Sequence, residues 1–230
     1  LFYKWLFDAM IIAIDGSAGS GKTTTARKVA QILGFIHINT GAMYRGIALK
    51  IIREKVNLDD TSGIERILNN TQLNFAGPNN AILYMDGEDV SGEIISSMVT
   101  ANVSQISSIS KVRVKLVEYQ RKMARGRNVV LEGRDIGTVV FPNADYKFYF
   151  VADIEVRAER RKQEIEVTGD HMTKEEIIMY IKDRDQKDSS RQHSPLMKAE
   201  DAIEVDTTNL KIEEQVNYII NIVNYNQKGA

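Results

Sequence analysis

The octapeptide GSAGSGKT, residues 16–23, limits the fold of this chain more than any other feature. It satisfies G-x-x-x-x-G-K-[ST] without a gap, and that pattern has chemical meaning only between a strand and a helix. Both contexts are legible. MIIAID, residues 10–15, is a short apolar run ending at glycine, as a buried strand does. Residues 22–33 place Ala26, Val29, Ala30 and Leu33 on one helical face, and Gly34 supplies the stop. In such a turn the segment Gly16, Ser17, Ala18, Gly19, Ser20, Gly21, Lys22, Thr23 and Thr24 wraps its N–H groups around phosphate oxygens at a helix N-terminus. Lys22 would reach the outer phosphates, and the Thr23 hydroxyl would ligate Mg2+. A nucleoside triphosphate is implied, but switches, ATPases and small-molecule kinases all carry the motif, so it names no reaction.

The rest of the chain keeps the strand–helix alternation. Strands are expected at 35–38, 128–132, 146–152 and 202–205, and helices at 41–54, 111–125, 153–166, 174–188 and 212–226. Alternation of this kind gives an α/β fold with a parallel sheet covered on both faces. Residues 57–92 break it: TQLNFAGPNNAILYMDGEDVSG holds two short alternating runs with GPNN between them and DGED after the second. Those are hairpin residues, so a small antiparallel insert is expected there, with Glu88 and Asp89 as hairpin residues rather than ligands. No internal repeat or long linker divides the chain.

Bulk composition excludes several classes. A net charge of −1 on 230 residues gives no general attraction to nucleic acid or an anionic membrane, so any polyanion site must be built from local arginines. With no cysteine there is no disulfide framework, thiolate metal site or thiol nucleophile, which suits a reducing, cytoplasmic setting. LFYKWLFDAM is apolar but too short and too weakly basic for a secretory signal, and no run has the length of a membrane span. Residues 1–9 are expected to be a dispensable extension.

Charged residues gather at a few places. NTGAMYRG sets Thr40 at the end of the second strand with Tyr44 and Arg45 one turn into the next helix, where open α/β sheets bind ligands. Ser104 and Arg113 fall on a mostly helical region. Arg157, Arg160 and Arg161 lie on one helix, and Arg184, Asp185, Asp188 and Arg191 on another. The polar loop between these helices restarts through the capping box Thr173-x-x-Glu176, which is the makeup of a lid. Arg184, Asp188 and Arg191 stand at i, i+4 and i+7 and share a face. Finally, VVLEGRDIGTVVFP crowds Glu132, Arg134 and Asp135 at the mouth of a strand, a costly arrangement unless the charges are paired or face a ligand. Glu132 falls where a carboxylate would meet Mg2+ or its waters. Arg134 could clamp an acceptor phosphate, and Asp135 could accept from an exocyclic amine, favouring cytosine or adenine over uracil.

GRDIGT and GEDVSGEI, with NTGAMYR and the R-D-x-x-D-x-x-R of 184–191, resemble the bacterial cytidylate kinases from about Met10 to near the C-terminus. The resemblance implies a P-loop kinase with a five-stranded parallel sheet and transfer of the γ-phosphoryl of MgATP to CMP or dCMP. It implies a core at 10–39, 101–156 and 192–230, a nucleoside-monophosphate domain at about 40–100 enlarged by the insert, and a lid at about 157–191. Cytosine would be read by Ser104, Arg113 and Asp135, the CMP phosphate held by Arg45, Arg134 and Arg191 beside Thr40 and Tyr44, and the sugar contacted by Arg184 and Asp188. Arg157 and Arg161 would close on ATP, and Lys22, Arg134, Arg157, Arg161 and Arg184 would form the catalytic set. Thr23 and Glu132 would serve Mg2+. Glu132 and Thr40 depart from an aspartate and a serine found in some members, and each keeps the chemistry. Small-molecule substrates, no nucleic acid or membrane partner and a monomer are expected. Open alternatives are another acceptor, such as UMP, AMP or a metabolite, and a nucleotide switch with a protein partner; no NKxD segment favours the switch.

Overall fold

The structure, a computed structural model, describes residues 9–167 and 172–228. The expectation for residues 1–9 and the tip of the loop between the two arginine-bearing helices therefore fall largely outside the described residues. The chain divides into two compact units: one runs to His37 and resumes at Ala124, the other is Ile38–Met123.

The first unit is built on a five-stranded sheet. Its strands are β1 (Ile11–Gly16), β2 (Ile36–Asn39), β6 (Val129–Gly133), β7 (Tyr146–Val151) and β8 (Ile203–Asp206), in the order β2–β6–β1–β7–β8. The chain passes to the second unit within β2. β1 runs parallel to both neighbours, with Asp15 opposite Gly133 on β6 and Tyr149 on β7. Parallel strands need crossover helices, and α1 (Lys22–Leu33), α6 (Ile154–Val167), α7 (Lys174–Ser189) and α8 (Ile212–Lys228) occupy the connections and the C-terminus of this unit. Alternate residues of the strands point to one face: Ile12, Ile14, Tyr146, Phe148 and Phe150 pack there against Ala26 and Val29 of α1 and Val216, Ile219 and Val223 of α8. Each fully buried large side chain in such a layer stabilises by about 1.5–3 kcal/mol. The opposite parity carries Asp15, Lys147 and Tyr149. Two arginine-bearing helices form a hairpin with its own small core, Ala158, Ile165, Ile177 and Ile181.

The second unit holds α2 (Thr40–Arg53), α3 (Thr61–Asn70), α4 (Ser97–Ser108), most of α5 (Ser110–Ala124) and a three-stranded antiparallel sheet, β3 (Leu73–Ala76), β4 (Ile82–Met85) and β5 (Glu88–Asp89). Asp86 and Gly87 both take positive φ (54° and 87°), which a two-residue hairpin turn requires. Gly46 lets α2 approach this sheet, since a Cβ there would lie 3.1 Å from Leu83 Cδ2. Glu88 accepts two hydrogen bonds from Arg53, at 2.7 and 2.9 Å, a structural pairing at the hairpin edge.

Two details differ from the sequence reading. Residues 57–92 contain a helix, α3, as well as the hairpin. It is capped by Asp60, which accepts from the N–H of Gly63, and it buries Ile64, Ile67 and Leu68. Its i, i+3, i+4 spacing was present in the sequence but lay beside the strand-like runs. Second, α7 ends at Ser189, so Arg191 is not on the helical face shared by Arg184 and Asp188. No helix among the described residues is long and apolar enough to cross a membrane.

Candidate active site

The P-loop is shaped by close contacts. Gly16 has φ +148°, and a Cβ there would lie 2.3 Å from the carbonyl oxygen of Phe150. Gly19 and Gly21 also take positive φ, at 73° and 91°. Gly21 caps α1 in the left-handed conformation with no side-chain cap bond, so the first N–H groups of α1 are offered to a ligand. Thr25 donates to Gln215 Oε1 at 2.7 Å, and the hydroxyl of Thr207 donates to the carbonyl of Ser20 at 2.9 Å, fixing the loop from α8 and the β8–α8 connection. Ser17, Ala18 and Thr24 are half-buried along this loop.

Lys22 is only 4% exposed. Its ammonium donates to the Ser17 carbonyl and to Ser20 Oγ at 3.2 Å. Burial, with the nearby Arg134 adding to it, holds this amine well below its ordinary range, while Glu132 and Asp15 oppose the shift. Burial thus disfavours the charged form, and a bound phosphate would restore it, because opposite charges attract far more strongly in a dry setting than in water.

Thr23 is exposed and donates to Glu132 Oε1 at 2.9 Å, and Glu132, at the end of β6, is 4% exposed. A hydroxyl and a carboxylate in contact beside the phosphate loop are hard oxygen donors. They suit Mg2+, which takes one or two protein ligands and completes its shell with phosphate oxygens and water. Among the described residues no cluster of three metal-ligating side chains exists.

Arginines of the first unit gather on shared carboxylates. Asp188, 2% exposed, accepts from Arg134 Nε at 2.8 Å and from Arg191 Nη2. Burial works against its charge, but the guanidiniums of Arg134, Arg191 and Arg184 outweigh it and hold the carboxyl below the usual range. Although Arg191 lies past the end of α7, it thus reaches back to the same carboxylate. Arg184 donates to the Tyr180 hydroxyl at 3.4 Å. Arg157 meets Asp185 at 2.5 Å and the Ala18 carbonyl at 3.3 Å, and Asp185 also accepts from the Ala18 N–H at 3.4 Å. Arg161 is turned along the helical hairpin, to Glu164 at 2.8 Å and to the ring of Tyr180 at 6.0 Å. Its neighbour Arg160 instead reaches the P-loop, donating to the Gly19 carbonyl at 3.5 Å and the Thr207 carbonyl at 2.7 Å. Asp135 follows Arg134 and is 3% exposed.

In the second unit, Asn39 caps α2 by accepting from the N–H of Ala42, so Thr40 is the first helical residue, 3% exposed, and not the cap. Tyr44 is buried, and the guanidinium of Arg113 lies 5.3 Å from its ring centroid. A desolvated contact of this kind is worth about 2 kcal/mol. Arg113 also donates to the Ser107 carbonyl at 3.2 Å, one turn after the half-buried Ser104, whose carbonyl accepts from Ser107 Oγ at 3.0 Å. Arg45 lies half-buried beside Gly41. The structure therefore brings Tyr44, Arg113 and the Ser104 turn together in this unit, and Lys22, Thr23, Glu132, Arg134, Arg184, Asp188 and Arg191 are linked by contact or by charge in the first.

Three polar residues of this cluster drew no role from the sequence: Asp15, Asp185 and Arg160. Asp185 and Arg160 were visible only as members of charged runs, and nothing in a run of alternating charges tells which member turns inward. Asp15 was visible only as the end of a strand.

A family model described as cytidylate kinase matches residues 12–225. A cytidylate kinase from Caldanaerobacter subterraneus subsp. tengcongensis is 46% identical, the match covering 95% of this chain and 96% of that protein. One from Fusobacterium nucleatum is 47% identical, covering 92% and 96%. Among solved structures, an uncharacterized protein from Eubacterium ventriosum superposes with a TM-score of 0.50 at 12% identity, covering 94% of this chain and 98% of that one, a likeness of fold alone.

Proposed function

The chain belongs to the cytidylate kinase family, and on that footing we propose that it transfers the γ-phosphoryl group of ATP to CMP or dCMP, giving ADP and CDP or dCDP. The observation that carries this reading is that, past the carboxyl ends of β1 and β6, the buried lysine of a phosphate-binding loop lies within the electrostatic reach of Arg134, which is held with Arg191 on Asp188. Two guanidiniums on one carboxylate leave a net positive charge, which suits a phosphate dianion.

No side-chain base is required. A non-bridging oxygen of the CMP phosphate is already an anionic nucleophile; it attacks the γ-phosphorus in line as the bond to the β-bridging oxygen breaks, and ADP leaves with that electron pair. The protein aligns the two phosphates and spreads the negative charge. Lys22 and the P-loop N–H groups do so on the donor side, where Arg157 and Arg160, already on the Ala18 and Gly19 carbonyls, stand ready to meet the triphosphate. Arg161 would join them only after turning away from Tyr180. On the acceptor side Arg45, Arg134 and Arg191 hold the CMP phosphate, with Thr40 and Tyr44 lining it and Arg184 and Asp188 at the sugar. Ser104, Arg113 and Asp135 read the cytosine. Thr23 and Glu132 would hold Mg2+, which would supply additional charge neutralisation of the donor phosphates. Closure of the α6–α7 hairpin over the nucleotide would exclude water as a competing acceptor. The protein works as a monomer in the cytoplasm. Incubation with MgATP and CMP, followed by chromatography, is expected to yield CDP in step with ADP; ADP without CDP, or neither, would contradict the assignment.

A further inference from the structure

Asp15 is the penultimate residue of β1, immediately before the P-loop, yet its carboxylate serves the segment that carries Arg134 and Asp135. It is 5% exposed. Oδ1 accepts from the N–H of Ile136 at 2.8 Å and Oδ2 from the N–H of Gly137 at 2.7 Å. These are the first residues of a short π-helical turn, Ile136–Val140, that directly follows Asp135. The local cap position belongs to Asp135, but Asp135 makes no side-chain cap bond to the turn. The cap comes instead from a residue 121 positions earlier in the chain.

The turn is seated closely. A Cβ on Gly137 would lie 3.4 Å from Asp15 Oδ2 and 3.1 Å from the Lys147 side chain. Lys147 in turn anchors the far end of the segment, donating to the Pro142 carbonyl and to Asp201 at 2.8 Å. Holding Asp15 here is unfavourable: burial, with Asp135 nearby, pushes its carboxyl up to about 6 despite the two amides and Lys22. A group retained at such a cost, between two functional segments, points to a role in the site rather than in packing.

We propose that Asp15 is a positioning residue for acceptor recognition: by capping the 136–140 turn from the end of β1, it fixes Arg134 and Asp135 relative to the P-loop. One strand end thereby sets the placement of both the donor loop and the acceptor-reading turn. The inference rests on the assignment of Arg134 and Asp135 to CMP made above.

The test compares wild type with Asp15→Ala and Asp15→Asn. The measurements are kcat/KM for CMP and for UMP, the Kd of a non-hydrolysable ATP analogue with Mg2+, and thermal unfolding. Asp15→Ala is expected to lower kcat/KM for CMP about 100-fold and to narrow the CMP-to-UMP ratio about tenfold, because a displaced turn misplaces the group that reads the amine. Analogue binding should stay within about threefold, since the P-loop keeps its own supports. Asp15→Asn, which retains one acceptor oxygen, should lie between, and it carries the test if the alanine variant does not fold. An unchanged CMP-to-UMP ratio, or loss of analogue binding and CMP turnover in proportion to lost thermal stability, would overturn the inference. Wild-type protein without CMP turnover would instead overturn the functional assignment and this inference with it.

Discussion

Asp188→Ala removes the carboxylate on which Arg134 and Arg191 meet. The acid side chain is 3% exposed, Arg191 8% and Arg134 18%, so two guanidiniums lose their shared counter-charge where water replaces it poorly. Removing one member of a buried ion pair costs about 3–5 kcal/mol, and the partial exposure of Arg134 places this case near the lower end. At roughly 2–4 °C per kcal/mol for a chain of this length, a loss of about 3 kcal/mol lowers Tm by about 6–12 °C. Circular dichroism melts in a buffer free of phosphate and sulfate measure this directly. Inorganic phosphate should recover more of the Tm in the variant than in wild type, because an added anion can stand in for the missing carboxylate. Asp188→Asn, which can still accept hydrogen bonds, should fall between the two. A Tm within about 2 °C of wild type, less than the shift for 1 kcal/mol, would refute the claim that the arginines depend on this carboxylate.

Other perturbations separate the donor from the acceptor machinery. Arg134→Ala and Asp135→Ala should leave ATP-analogue binding nearly intact while reducing turnover with CMP by about 100-fold or more, and equal loss of analogue affinity would show the acceptor residues to be misplaced. Gly16→Ala places a Cβ 2.3 Å from the Phe150 carbonyl oxygen, so it should destabilise by well above the roughly 1 kcal/mol of an ordinary backbone adjustment; an unchanged melt and unchanged ATP binding would refute the close approach. The Asp15 carboxyl is raised from 3.8 to about 6, so the folded state holds an extra proton between those values. Its contribution to stability is then present in full below 3.8 and lost as the pH rises through about 6. Wild type should therefore lose Tm relative to Asp15→Asn over that window, and a constant difference would contradict the shift.

Much of the fold was legible because its local signals agree with one another. The strand, glycine loop and helix around Lys22 each demand the others, and the observed α1 boundaries, Lys22–Leu33, coincide with those read from apolar spacing and Gly34. The remaining sheet strands and the helices beginning near residues 41, 111, 153, 174 and 212 also lie within one or two residues of expectation. α3 was obscured because Gly63 interrupts its first turn and the hairpin runs dominate the same segment. Arg191 was misplaced for a different reason: helical spacing assumes the helix continues, while α7 stops at Ser189. Side-chain direction was the less legible part. Arg160 and Arg161 are adjacent in sequence, yet one reaches the P-loop carbonyls and the other Tyr180, a difference set by where α6 meets its neighbours. Nor could spacing have revealed that Asp15 caps a turn 121 residues away. The motifs from Glu132 to Thr138 drew attention because charges beside an apolar run must be compensated, and the partners of Arg134 and Thr23 show two of those compensations.

The most direct test is ADP release from MgATP with CMP, dCMP, UMP, AMP and GMP offered separately, against a blank without acceptor. Strong turnover with CMP and dCMP, weak turnover with UMP and little with the purine nucleotides is the expected result. A protein that binds ATP but turns over none of them, or that prefers AMP or UMP, would contradict the assignment of Ser104, Arg113 and Asp135 to cytosine.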